Sequence, residues 1–205
     1  MDALTSPALI PYLLRWAHIM FGIMWLGHLY FFNLVNVPFQ AGLDKELKAK
    51  VNPALLLRAF YWFRWSAMYT LILGLALFVW HYITPEGAMK SPDGHMTDRA
   101  MWIQFGMFLG IIMWFNVWFV IWPRQKKILG GLAAGTPHPD AAKLAATAAK
   151  ASRFNTYASG PMLFGMVGAT HFGTMSLPVL LLVSVIGVGF WFGMIKRSFK
   201  VKTTV

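Results

Sequence analysis

Residues 101–122 read MWIQFGMFLGIIMWFNVWFVIW, an apolar stretch without a single Asp, Glu, Lys or Arg. About 20 such residues in a helix cross the hydrocarbon core of a bilayer. Four further stretches have similar length and character. The sequence therefore predicts an all-α integral membrane protein, a single-domain bundle of about five transmembrane helices. The predicted spans are residues 11–36, 61–83, 101–122, 154–172 and 177–195.

Two of these spans carry features that bear on where their helices end. Pro123 directly follows the third span and is predicted to end it. The fourth span is the least regular, because polar residues, Gly160 and Pro161 interrupt its apolar run. The Ala-rich residues 141–151 before it are predicted to be helical, with Asp140 as the N-cap, and to lead into the span.

The composition excludes several classes of protein. Hydrophobic residues make up 58% of the 205 and charged residues only 12%, which excludes a soluble enzyme, a disordered chain and a fibrous protein. The absence of Cys excludes disulfides, thiolate zinc sites, iron–sulfur clusters and covalently attached c-type haem. A net charge of +11 in such a chain is typical of membrane topology and lipid contact, so no nucleic-acid partner is expected.

The distribution of the basic residues predicts the orientation. Fifteen of the 18 Lys and Arg residues lie on one side of a five-helix arrangement, in the first loop, the third loop and the C-terminal tail. The other side has only Arg15, Lys90 and Arg99. By the positive-inside rule the N-terminus lies outside and the C-terminus in the cytoplasm. We expect a multi-pass protein of the bacterial inner membrane.

Histidines are the candidate functional residues within the spans. No Asp or Glu falls inside any span, which argues against proton-coupled transport and acidic ion filters. His18, His81 and His171 lie near the outer side on three different helices, whereas His28 lies about 15 Å deeper than His18. Facing helices of a bundle commonly hold haem through such side chains. The best predicted ligand pair is His18 with His171, His81 is the reserve partner, and His28 is a candidate for a second site or for packing.

Other interpretations of these histidines remain open. A single His in a membrane helix is more often a hydrogen-bonded core residue than a ligand, and His81 and His171 lie close enough to helix ends for interfacial solvation. Arg15 and Arg64 either extend to lipid head groups or pair with a haem propionate. Asn116 and Asn155 are predicted to form hydrogen bonds between helices. Two Gly-x-x-x-Gly patterns, at Gly106–Gly110 and Gly189–Gly193, predict close helix contacts, within the chain or with a partner.

Several strings in chain order resemble the membrane domain of the bacterial membrane-bound urate oxidase (urate hydroxylase) family. The first helix contains Arg15-Trp16-Ala17-His18 and Gly22-Ile23-Met24-Trp25-Leu26-Gly27, and the second contains Trp62-Phe63-Arg64-Trp65-Ser66-Ala67 before Leu73-Gly74. The third contains Asn116-Val117-Trp118 and Ile121-Trp122-Pro123-Arg124-Gln125. The fourth contains Ser152-Arg153-Phe154-Asn155-Thr156-Tyr157, Pro161-Met162-Leu163-Phe164 and His171-Phe172.

The resemblance implies a membrane module that passes electrons toward a c-type cytochrome at the outer face. Members of that family join such a module to a C-terminal cytochrome domain, and urate degradation is attributed to the whole. His18 and His171 stand in the matching strings, whereas His28 stands where a small residue is expected. This chain departs from the pattern because it has no Cys for a c-type haem.

Three hypotheses follow for the function. The first is a b-type haem electron-transfer protein or subunit, with haem b as cofactor and a periplasmic c-type cytochrome as partner. The second is a haem-free structural subunit of a larger membrane complex, such as a respiratory complex. The third is a component of a membrane-bound urate oxidase, an oxidoreductase. Asp93, Asp98 and Glu86 in the main outer loop are expected to attract a cytochrome with a basic docking face, weakly and with salt sensitivity.

Overall fold

The computed structural model describes residues 6–85 and 88–201, so Glu86, Lys202 and Val205 lie outside the described residues. Within these residues the structure is helical and has no β-strand, apart from one isolated bridge between Lys90 and Met96. The α-helices are α1 (Leu9–Tyr30), α2 (Val37–Gly42), α3 (Lys45–Phe78), α4 (Asp98–Phe115), α5 (Trp122–Ala133), α6 (Ala141–His171) and α7 (Leu177–Ser198). π-Helical segments at Phe31–Asn36, Val79–Ile83 and Asn116–Ile121 extend α1, α3 and α4.

Four continuous helical rods are long and apolar enough to cross a membrane. They are Leu9–Gly42, Lys45–Ile83, Asp98–Ala133 and Leu177–Ser198. Each contains one predicted span, so spans one, two, three and five are confirmed as long apolar helices. The predicted fourth span lies in α6, which has 31 residues and is continuous from Ala141 as predicted, but which is not among the four most apolar helices.

The hydrogen bonds of α6 explain why it is less apolar than its neighbours. Asn155 is completely buried: its side chain accepts a hydrogen bond from Asn116 Nδ2 at 2.8 Å and donates one to the Met113 carbonyl at 2.9 Å. The prediction that Asn116 and Asn155 form hydrogen bonds between helices is thereby confirmed, and the structure shows that they bond each other. The hydroxyl of Tyr30 donates to Ser159 Oγ at 3.0 Å. A helix that packs inside the bundle exposes few residues to lipid, so its polar face is satisfied by other helices.

One predicted helix end is wrong, and the helix that contains the second span is longer than that span. It begins at Lys45, because the Asp44 side chain accepts a hydrogen bond from Leu47 N and caps it there. The third helix does not end at Pro123. The π-helical segment Asn116–Ile121 lets Trp122 N bond the Val117 carbonyl, and Pro123 then lies in the first turn of α5, where an N–H is not needed.

The long helices pack as antiparallel neighbours. Arg15 and His18 of α1 contact the C-terminal part of the second rod at His81 and Thr70. Gly106 of α4 lies against Gly165 of α6, where a Cβ on Gly165 would be 2.8 Å from Gly106 N. Gly160 of α6 meets Gly187 of α7 in the same way. These glycine pairs let the backbones approach each other closely.

The Gly-x-x-x-Gly prediction is confirmed within the chain for α4, whereas for α7, where the contact would be with a partner, it stays a prediction. Gly106 makes the close contact that its pattern predicts. In contrast, a Cβ on Gly189 or Gly193 would meet no atom of the described residues within 4 Å, and α7 packs through Gly187 instead. Gly189 and Gly193 point away from this chain's other helices, which a sequence pattern cannot distinguish from a packed face.

The antiparallel order sorts the charges to two ends of the bundle. The beginning of α3, all of α5, the beginning of α6 and the end of α7 lie together, and they carry most of the Lys and Arg residues. We call this the basic end. The opposite end carries Arg15, Lys90 and Arg99. Buried side chains fill the half of the bundle toward the basic end, including Leu29, Phe63 and Val117.

Candidate functional site

A cavity occupies the half of the bundle that the core side chains leave free. It has a volume of about 740 Å³ and lies between the α1/α3 pair and the α4/α6 pair. Its walls are mainly apolar, and it lies in the size range of cofactor and ligand pockets. His18, His81 and His171 are all on its walls, as are Arg15 and Arg99. We call the end of the bundle with these two arginines the cavity end.

His18 is held in a defined orientation by α3. Its Nδ1 lies 2.9 Å from the Thr70 carbonyl oxygen, which only accepts hydrogen bonds, so Nδ1 carries the proton. The lone pair of a neutral imidazole is then on Nε2. A backbone carbonyl that fixes the tautomer in this way is the usual companion of a metal-ligating histidine.

Gly74 provides the space for this imidazole. A Cβ at position 74 would lie 2.9 Å from Cε1 and 3.2 Å from Nδ1 of His18. Real Cβ contacts are not that short, so any other residue would displace the ring or the helix. The glycine therefore determines how closely His18 lies against α3.

His81 has a different environment. It lies in the π-helical segment Val79–Ile83, and its Nε2 is 3.2 Å from Arg15 Nη2. A guanidinium only donates hydrogen bonds, so Nε2 of His81 is the acceptor and its lone pair is already used. His81 thus shares the cavity with His18 but directs its basic nitrogen at an arginine.

His171 is the last residue of α6 and lies on the cavity wall. The hydrogen bond between Tyr30 and Ser159 sets the register of α1 against α6. His18 precedes Tyr30 by twelve residues, and His171 follows Ser159 by twelve residues. Because the two helices run in opposite directions with equal rise, His18 and His171 lie at about the same level.

His28 is separate from this group. It is not on the cavity wall, and its Nδ1 donates to the Met24 carbonyl of its own helix at 2.7 Å. The structure therefore brings together three of the four candidate histidines and leaves the fourth on another part of α1.

The arginines also divide into two groups. The Arg64 guanidinium is not on the cavity wall; it stacks on Trp122 and Trp118, with its Cζ 4.2 and 5.1 Å from their ring centroids. Arg99 does line the cavity, although the sequence indicated it only as evidence for the orientation and not as a site residue. The signal that could have found it is its isolation, since it is one of three basic residues outside the basic segments.

The donor set suits a haem better than a bare metal ion. Among residues 6–85 and 88–201, no three His, Asp or Glu side chains lie close enough together to hold a metal ion. A haem brings four nitrogens of its own and needs only one or two axial ligands from the protein. His18 offers a free Nε2, the cavity is large and apolar, and its lining includes Gly22 and Gly110, which have no side chains. The residues of this cavity therefore fit a haem.

Comparison with known families completes the description of the site. A family model described as "urate oxidase N-terminal" matches residues 91–204, which include α4 to α7 with Arg99 and His171. No curated protein matches the chain, and no solved structure matches it. The matched residues are more than half of the chain. The chain is therefore a member of the urate oxidase N-terminal family.

Proposed function

We propose that this chain is a b-type haem electron-transfer protein of the membrane, with the haem in the cavity between the α1/α3 and α4/α6 pairs. The observation that carries this proposal is the Thr70 carbonyl on His18 Nδ1, which leaves Nε2 as a ready axial ligand on an apolar wall. Bound haem would supply reversible one-electron chemistry, and the chain's own residues bind it, orient it and exclude water.

His171 is the proposed second ligand. Its level matches that of His18 through the α1–α6 register, and it lies on the same cavity wall. His81 is a poorer partner, because ligation through Nε2 would break its hydrogen bond to Arg15. His28 is assigned no ligand role here, because its ring is turned to its own helix.

The proposed setting is the bacterial inner membrane with the basic end in the cytoplasm. Four rods of sufficient length and hydropathy support insertion, and the collection of basic segments at one end supports this orientation. The cavity end then faces the periplasm. A c-type cytochrome at that face is the proposed electron partner, since a haem near this end is close to it.

The absorption spectrum of the purified protein tests the proposal. We expect the reduced-minus-oxidised difference spectrum to show the bands of a six-coordinate b-type haem, because two imidazoles are available at one level of the cavity. The pyridine haemochrome assay then gives the haem content per chain. A well-folded protein that shows no haem band after expression with ample haem would contradict the proposal and favour the haem-free structural subunit.

Sided vesicles test the orientation and the partner together. In right-side-out vesicles, added cytochrome c is expected to oxidise the pre-reduced haem, faster at low than at high ionic strength. In inverted vesicles it should not. A fluorescent reporter fused after Val205 provides the control, because it should be active only when the C-terminus is cytoplasmic. Oxidation only in inverted vesicles would show that the cavity end faces the cytoplasm.

A second candidate function is that of a component of a membrane-bound urate oxidase. The family match over residues 91–204 favours it. Both functions share the same cavity and differ in the electron source. In the right-side-out vesicles, reduction of cytochrome c that depends on added urate, and that is lost in the His18→Ala variant, would establish urate as the donor.

A further inference from the structure

We propose that Arg15 and Arg99 form a carboxylate-binding clamp at the cavity end, which holds the two propionates of the haem. This inference rests on the proposed function, because it assigns the part of the site that would bind the polar edge of the cofactor. It also fixes the direction of the haem, with its carboxylate edge toward the cavity end and away from the basic end.

Two consecutive residues each hold one of the arginines. Arg15 of α1 donates from Nη2 to His81 Nε2 at 3.2 Å. Arg99 of α4 donates from Nε to the Tyr82 hydroxyl at 3.2 Å, and its Cζ lies 4.9 Å from the centroid of the Tyr82 ring. His81 and Tyr82 are consecutive in the π-helical segment Val79–Ile83. Guanidinium groups from two different helices are therefore held at one turn of a third.

Neither arginine forms an ion pair with a carboxylate of the described residues. Both arginines line the cavity, and none of its described lining residues is Asp or Glu. The one ion pair found within residues 6–85 and 88–201 is Lys50–Glu46, which lies toward the basic end. A cation at the edge of an apolar cavity is stabilised by an opposite charge that approaches it directly, and a guanidinium binds carboxylates in bidentate geometry.

The shape of the charge distribution favours one class of ligand. The cavity is apolar along α1 from Ile19 to Leu26, whereas its two arginines bond His81 and Tyr82 at one end. Its complement is a molecule with a large apolar body and two carboxylates on one edge. Both arginines are exposed, so the carboxylates would remain in contact with water while the body is buried. A lipid phosphate offers an anion too, and the experiment below separates the two.

Titration of the haem-free full-length protein with haem and with haem dimethyl ester tests the clamp. The ester has the same macrocycle and iron but no carboxylates. We expect the Arg15→Gln/Arg99→Gln double variant to bind haem about tenfold more weakly than the unaltered protein, as for two partly exposed charge-assisted pairs. Its affinity for the ester should be unchanged. Arg64→Gln is the matched control, since Arg64 stacks on tryptophans outside the cavity, and it should change neither affinity.

Each other outcome overturns the clamp in a recognisable way. Equal haem affinity in the unaltered protein and the double variant would reject the clamp while the proposed function stands. Equal affinities combined with loss of co-purified anionic lipid in the double variant would assign the arginines to a lipid phosphate. Failure of the unaltered protein to bind either haem or its ester would reject the proposed function together with the clamp.

Discussion

Replacing His18 by Ala is expected to remove bound haem almost completely and to lower the haem content per chain by more than about tenfold. Loss of a group that only orients a metal ligand already lowers metal affinity by about 10–100-fold, and loss of the ligand itself should lower it further. The reason is that His18 is the cavity histidine whose Nε2 lone pair is freed by a backbone hydrogen bond, at Thr70. The pyridine haemochrome assay on purified protein measures the content. His171→Ala should reduce haem content less and convert the spectrum to that of a five-coordinate haem.

His28→Ala is the matched control for this prediction. It deletes an imidazole from the same helix, but one that bonds its own backbone at Met24 and does not line the cavity. Its haem content and spectrum should equal those of the unaltered protein. Unchanged haem in both His18→Ala and His171→Ala would defeat the ligand assignment, whereas loss in His28→Ala alone would move the site to the other half of the bundle.

Replacing Gly165 by Val is expected to destabilise the helix bundle by about 3 kcal/mol or more, near the upper end of what overpacking costs. A Cβ at this position would lie 2.8 and 2.9 Å from Gly106 N and Cα and 3.0 Å from the Trp102 carbonyl oxygen. All three are backbone atoms of α4, so no side chain can rotate away and the two helices must separate. Unfolding in detergent, followed by circular dichroism and by monodispersity on size exclusion, measures the effect.

Gly193→Val is the control for helix propensity and added bulk. Within the part of the chain that the structure describes, a Cβ on Gly193 meets no atom within 4 Å, so the same substitution there should change stability little. Equal destabilisation at both positions would mean that the effect comes from valine in a helix and not from the contact between α4 and α6. Full stability of Gly165→Val would show that the helices do not approach as closely as the structure has them.

The sequence predicted the helices better than their ends. Apolar runs predict where lipid or core contact is required, but a helix continues until something stops it. No stop signal lies between Lys45 and the apolar run that begins near Tyr61, apart from Pro53, which α3 accommodates. Pro123 looked like a stop, and the preceding π-helical segment made it compatible with a continuous rod. Asn116 of that segment bonds Asn155 of α6, a partner that the local sequence does not reveal.

The candidate site could be predicted only in part. Depth along each helix placed His18, His81 and His171 at one level, because rise per residue is constant. The nitrogen that each histidine leaves free for a ligand depends on its hydrogen-bond partner, and the sequence does not show that partner. The structure shows that it is a backbone carbonyl for His18 and an arginine for His81. Arg99 belongs to the site because α4 lies beside Tyr82. A single arginine at the start of a helix forms no sequence motif that would have predicted this.

The sequence by itself determined the all-helical character of the chain, the number of long helices and the segregation of positive charge, because these depend on hydrophobicity and order along the chain. The sequence also shows that the chain belongs to the urate oxidase N-terminal family. Only the tertiary structure decided which glycines are contacts, which histidines share a cavity and which arginines line it. Those properties depend on the rotation and register of one helix against another, which hydrogen bonds such as Tyr30–Ser159 and backbone contacts such as Gly106–Gly165 set between residues far apart in sequence.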